Sequence, residues 1–276
     1  EYMPSDRYDC GNTDFCNDGD KLHSIKTLED FMSEKILLID GHSILNRAFY
    51  GIPMLTNHEG IHTNAIYGFI NIMLRAMEDE KSDHIAVAFD LKAPTFRHKM
   101  YEMYKGTRKP MPAELHEQVP VIKEILASMN IPVITLEGYE ADDILGTVGK
   151  KAQSLGYNVV ILSGDRDLLQ LADEHIKIRL PKTIKGRTEI ENYYPEDVME
   201  KYMATPSEFI DLKALMGDSS DNIPGVPGIG EKTAMSIISK YHSIENAYEH
   251  VEELTPAKAK NSLRENYCLL YTSPSP

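Results

Sequence analysis

Four short apolar runs, separated by segments long enough for helices, each stop at or just before acidic residues. Lys35-Ile-Leu-Leu-Ile ends on Asp40, and Ile85-Ala-Val-Ala-Phe ends on Asp90. Ile131-Pro-Val-Ile-Thr-Leu precedes Glu140, Asp142 and Asp143, while Asn158-Val-Val-Ile-Leu precedes Asp165 and Asp167. Runs without polar alternation are buried on both faces, and helix-length spacers favour parallel pairing through crossovers. The pattern predicts an α/β chain with strands over 35–40, 84–89, 132–136, 158–162 and 175–180, and a small one near 188–192. Ligands of such sheets bind beyond the carboxyl ends of the strands. A fifth acidic pair, Asp218 and Asp221, lies in the loop Met216-Gly-Asp-Ser-Ser-Asp-Asn. Carboxylates converging on one crevice cannot all stay ionised without counter-cations, and all-oxygen ligands select hard divalent ions. A Mg²⁺ or Mn²⁺ site is the expectation.

Taken singly, each cluster is explained by helix capping or a solvated face. One capping acceptor satisfies only one or two of a helix's free N–H groups. Three acids within Glu140–Asp143 exceed that need, and the pattern recurs at Asp165/Asp167 and Asp218/Asp221. Asp40 invites comparison with haloacid-dehalogenase phosphatases, but His42 stands where their second aspartate belongs.

The net charge of −14 argues against a polyanion partner until its distribution is considered. Lys92, Arg97, Lys99, Lys105, Arg108 and Lys109 face a single acid, Glu102, within their segment; Lys177, Arg179, Lys182, Lys185 and Arg187 face none. Such islands attract phosphates. In Phe96-Arg97-His98-Lys99 and Tyr104-Lys105-Gly-Thr-Arg108 basic and aromatic groups interleave, a combination suited to single-stranded nucleic acid. No apolar run approaches the ~20 residues of a membrane span. Cys10, Cys16 and Cys268 lie near the ends, as expected of a cytoplasmic chain; Cys10, Cys16 and His23 match no zinc spacing. Residues 1–31 and 268–276 read as foreign to the fold.

Gly225-Val-Pro-Gly228-Ile-Gly230-Glu-Lys232-Thr233 resembles a P-loop but fails its test, because Glu231 replaces the glycine before Lys-Thr and no strand precedes it. A glycine turn opening a helix still presents N–H groups to a phosphodiester, so the segment is expected to be a helix-hairpin-helix with Lys232 on a phosphate.

Ile39-Asp40-Gly41, Ala88-Phe89-Asp90, Phe96-Arg97-His98, Tyr139-Glu-Ala-Asp-Asp143, Gly164-Asp-Arg-Asp167 and the run from Gly217 to Ala234 together resemble the flap endonuclease family, in particular the 5′-nuclease domains of bacterial polymerase I. The resemblance covers about residues 32–267. It implies a PIN-like parallel-sheet core over 32–194, a helical arch about 92–112, and a helix-three-turn-helix over 195–267. It further implies a two-metal phosphodiesterase: Asp40, Asp90, Glu140, Asp142 and Asp143 at one ion, Asp165, Asp167, Asp218 and Asp221 at the other. Tyr104 and Lys105 match arch residues that stack on the 5′ nucleotide and assist at the scissile phosphate, with Arg108 a further phosphate contact. Arg97, Lys99, Gly225, Gly228, Gly230, Lys232 and Thr233 are expected on DNA, with K⁺ in the glycine turn. The implied substrates are 5′ flaps, nicks and RNA-primed 5′ ends, cut by a monomer in the bacterial cytoplasm, away from membranes and joined to a polymerase region. Two alternatives stand beside this: a PIN-type ribonuclease for single-stranded RNA, and a DNA-binding module that keeps its acids only for folding.

Overall fold

The computed structural model describes residues 33–184 and 187–266, without the side chains of 183–188. The leader 1–31, the tail 268–276 and all three cysteines lie outside the described residues. In chain order the elements are β1 (Lys35–Asp40), α1 (Gly41–Gly51), α2 (Asn64–Glu80), β2 (His84–Ala88), α3 (Phe96–Met100), α4 (Ala113–His116), α5 (Gln118–Ser128), β3 (Val133–Ile134), α6 (Ala141–Ser154) and β4 (Asn158–Leu162). A 3₁₀ turn (Arg166–Leu171) leads to β5 (Ile176–Ile184), β6 (Arg187–Tyr193), α7 (Pro195–Tyr202), α8 (Glu208–Met216), β7 (Gly217–Asp218), β8 (Ile223–Pro224), α9 (Glu231–Tyr241), α10 (Ile244–Glu249) and α11 (Ala257–Glu265).

The sheet order is β3-β2-β1-β4-β5-β6, parallel except for the β5–β6 pair. Strand order reverses between β1 and β4, which opens a crevice at their carboxyl ends. Alternate residues feed two cores. Leu38, Val159 and Ile161 pack with α6 and the C-terminal helices; Leu37, Ile39, Val87, Val160 and Leu162 pack against α1, α2 and α5. The first cluster continues without a break to Leu263 of α11.

Three expectations change. β3 keeps only Val133–Ile134. Pro132 cannot donate to a ladder, and a short outer strand limits edge pairing. The arch segment is a five-residue helix followed by turns. The second basic island is also largely occupied: Lys177 and Arg179 bond Glu80 at 2.6 and 2.9 Å, Arg179 reaches Asp79 at 2.9 Å, and Lys182 pairs with Glu191. Glu80 and Arg179 are buried, so Lys177 and Arg179 weld α2 to β5.

Candidate active site

Asp40 ends β1 and caps α1: its Oδ1 accepts Ser43 N–H at 3.0 Å, and its Oδ2 accepts the Ser163 hydroxyl at 2.8 Å from the end of β4. That last bond spans the reversal in strand order. Gly41 must be glycine, because a Cβ there would lie 2.5 Å from the Phe89 ring. Burial pushes the Asp40 carboxyl up to about 6, helped by Asp90 and Asp165 and opposed by the Ser43 and Ser163 hydrogen bonds. Asp90 Oδ1 accepts Ala141 N–H at 2.7 Å, tying β2 to the start of α6. His42 Nδ1 lies 3.2 Å from Asp90 N and 3.4 Å from Asp90 Oδ2; bare it accepts the N–H, protonated it donates to the carboxylate, and it does not do both at once. Burial would raise Asp90, yet the His42 and Ala141 bonds outweigh it and hold the carboxyl below its usual value.

Asp142, one residue further along α6, has a buried Oδ1 with no hydrogen-bond partner. Burial, then Asp40, Asp165 and Asp90, raise its pKa well above the ordinary range. These four carboxylates therefore repel one another inside one crevice.

The remaining five acids are held by the protein's own cations. Arg97 is 2% exposed and grips Asp143 through both terminal nitrogens, at 2.9 and 2.8 Å. Lys105 Nζ lies 2.8 Å from Glu140, and Arg108 pairs with Asp221. Lys213 bridges Asp167 and Asp218, 2.7 Å from each. Burial and Asp165 push Asp167 up to about 6 against the pull of Lys213. Asp218 is held down at about 2, because the Lys213 and Ser220 hydrogen bonds outweigh burial.

Residues 101–108 form a strap fastened to the loop of Asp218–Asn222. Lys105 N–H donates to Asp221 O at 2.8 Å, Arg108 Nε to Ser220 O at 3.2 Å, and Asn222 Nδ2 to Met103 O at 2.7 Å. Lys105 holds φ +55°, a left-handed backbone that costs about 1 kcal/mol in a non-glycine residue and persists only where contacts enforce it. Tyr104 is 3% exposed, and its hydroxyl lies within hydrogen-bond distance of Glu140 (2.9 Å) and Asp221 (3.0 Å), its single proton serving one carboxylate at a time. Here the Tyr104 ring is turned inward and the Arg97 guanidinium is engaged by Asp143. Lys99 is exposed as expected.

The glycine hairpin joins α8 to α9 as foreseen. Gly217 has φ +72°, and a Cβ there would overlap the backbone of Gly225. Gly225 is small because two chain segments cross at Met216. Gly228, Gly230 and Lys232 are exposed, and Thr233 is half-buried in the first turn of α9. Lys258 of α11 lies against Gly228 and adds a cation to this turn.

Cavities of about 350 Å³ flank the acids: one is lined by Arg97, Asp142, Asp143 and Asp167, the other by Ser43, Asp165, Lys213 and Asp218. An all-oxygen donor set with an orphaned Asp142 Oδ1 fits a hard divalent cation. Among the described residues no three acidic or histidine side chains already stand at metal-cage spacing. The acids thus form a cluster, with no preformed cage among them.

Lys213 and Ser163 were not foreseen. Lys213 sits within the apolar helix Phe209-Ile-Asp-Leu-Lys-Ala-Leu, where helical spacing alone reads as a solvated position.

Acids gathered beyond strand ends, ringed by cations and flanked by a glycine turn, are the equipment of a nucleic-acid hydrolase. The chain belongs to the 5′-3′ exonuclease family: the N-terminal resolvase-like domain matches residues 35–203 and the C-terminal SAM fold residues 204–274. It is 49% identical over 232 residues to DNA polymerase I of Bacillus subtilis, covering 84% of this chain and 26% of that protein. The Bacillus caldotenax polymerase I is 48% identical over 235 residues, 85% of this chain and 27% of the relative. The chain therefore spans about a quarter of the length of the curated relatives it matches. A bacteriophage T5 5′-exonuclease with bound zinc superposes with a TM-score of 0.69 at 24% identity, over 87% of each chain, which shows a shared fold.

Proposed function

We propose that the chain hydrolyses DNA phosphodiesters next to 5′ flaps, nicks and RNA-primed 5′ ends, using Mg²⁺ or Mn²⁺. The observation that carries this is Asp142, whose buried, unpartnered Oδ1 lies among Asp40, Asp90 and Asp165 where strand order reverses. Divalent ions held there supply an activated water and charge stabilisation for the transferred phosphoryl group. Asp40, Asp90, Asp142 and Asp165 form the nucleus of the site. Glu140, Asp143, Asp167, Asp218 and Asp221 would complete the set of carboxylates that holds the ions. Lys105 and Arg108, once released from Glu140 and Asp221, are positioned to meet charge developing on the scissile phosphate. Gly228, Gly230, Lys232 and Thr233 grip the backbone of the downstream duplex, with K⁺ at the turn. Primer removal and nick translation beside a polymerase are the role proposed.

Cleavage of a labelled 5′-flap DNA in Mg²⁺ tests the reading. The unmutated chain is expected to cut it, and Asp142→Asn combined with Asp165→Asn to abolish cutting. Undiminished cleavage by the double variant would remove the catalytic assignment. Preference for unstructured RNA would move the chain to the ribonuclease alternative, and no cleavage at all to the binding module.

A further inference from the structure

We propose that Lys123 is a further phosphate-contacting residue of this site, propped on the Phe89 ring and free to meet a substrate phosphate beside Asp90. This rests on the nuclease reading above.

The placement follows from packing. In α5, Ile122 and Leu126 are fully buried, which fixes the rotation of the helix and lays the Lys123 stem along the edge of the core. Its ammonium stands 4.7 Å from the centroid of the Phe89 ring. That ring cannot swing away. It is fully buried, Gly41 lies against it, and His42 meets it edge-on at 5.2 Å. A clamped ring with a cation over its face is a rigid pedestal. The pedestal stands at the carboxyl end of β2, one residue before Asp90, whose charge acts on Lys123.

The availability of Lys123 sets it apart. Arg97, Lys105, Arg108 and Lys213 are each bonded to a carboxylate. Among the described residues Lys123 makes no ion pair or hydrogen bond. No hydrogen bond or ion pair joins it to Asp90, whose Oδ1 accepts Ala141 N–H and whose Oδ2 lies 3.4 Å from His42. An ammonium carries three donors, and here all three remain unclaimed beside the reacting centre. Burial also draws its pKa below the usual lysine value, a mark of partial desolvation that strengthens its pull on an incoming oxyanion.

The test uses the full chain with a fluorescein-labelled 5′-flap DNA, read by anisotropy in Ca²⁺ across a series of salt concentrations. Lys123→Met keeps the aliphatic stem on Phe89 but removes the charge; Lys123→Arg keeps the charge. One lost phosphate contact lowers the salt slope of log affinity by about 0.7 to 0.9 and weakens binding by roughly five- to tenfold at about 0.1 M salt. The methionine variant is expected to show both changes, with KM raised and kcat kept within about twofold. The arginine variant is expected to recover the slope. Thermal melting of each variant separates a folding defect, which leaves the slope intact. An unchanged slope in Lys123→Met, or no recovery in Lys123→Arg, overturns the proposal. An unmutated chain that binds no flap DNA overturns this and the nuclease reading together, whereas flap binding with an unchanged methionine slope sinks only the role of Lys123.

Discussion

Replacing Asp40 by asparagine is expected to stabilise the metal-free protein while removing its cleavage activity. Asp40 is pushed up to about 6 in the fold from an ordinary value of 3.8, chiefly by burial. A folded-state pKa above the unfolded one means the native state binds the extra proton. Its favourable contribution is complete below about pH 4 and is lost as pH rises through about 6. Roughly two units at 1.36 kcal/mol each leave ionised Asp40 costing about 3 kcal/mol near pH 8, against about 0.5 kcal/mol near pH 4. Asparagine is neutral at every pH and keeps the geometry: its Oδ1 still accepts Ser43 N–H, and the Ser163 hydroxyl can turn to accept from the new amide. Urea denaturation in EDTA at both pH values measures the difference. The variant is expected to gain about 3 kcal/mol near pH 8, a rise in melting temperature of roughly 6–12 °C, and only about 0.5 kcal/mol near pH 4. In Mg²⁺ the advantage is expected to shrink, because a bound cation stabilises the carboxylate that asparagine lacks. A variant less stable than the unmutated chain in EDTA near pH 8 would refute the repulsion argument.

Lys213→Met breaks a bridge whose lysine, Asp167 and Asp218 side chains are only 17%, 9% and 18% exposed. It is expected to cost about 3–5 kcal/mol in EDTA and visibly less in Mg²⁺, by thermal melts under both conditions; equal losses would show that Lys213 is not interchangeable with metal. Tyr104→Phe removes a phenol whose pKa burial, Glu140 and Asp221 hold far above its usual value, so that it remains a donor at all working pH. A loss of about 1–3 kcal/mol is expected. Amide exchange over 101–108 is expected to quicken as the strap loosens, and an unaltered exchange pattern would count against the strap.

The features legible in the sequence were local ones. The acids at the strand ends were visible because a strand, its final carboxylate and the helix that follows are contiguous, and the glycine hairpin was visible for the same reason. Asp40 also shows that capping and site roles coexist, since it caps α1 while facing Asp142. Partner choice was hidden. Arg97 reads as a DNA contact until Asp143, 46 residues away, takes its fork. Tyr104 reads as a stacking ring until Asp221, 117 residues away, accepts its hydroxyl. Lys177 reads as part of a free basic island until Glu80, 97 residues away, meets it.

By itself, then, the sequence determined a parallel α/β sheet, an acidic crevice at its carboxyl ends and a hairpin able to hold a phosphate backbone. Periodicity, turn chemistry and helix-start acids act over a few residues, so they can be read without a fold. Only the tertiary structure decided which acids stand free and which are matched by lysine or arginine. Desolvation and Coulombic pairing depend on distance in space, and those distances exist only once β1 and β4 lie side by side and the strap is fastened to the Asp218–Asn222 loop.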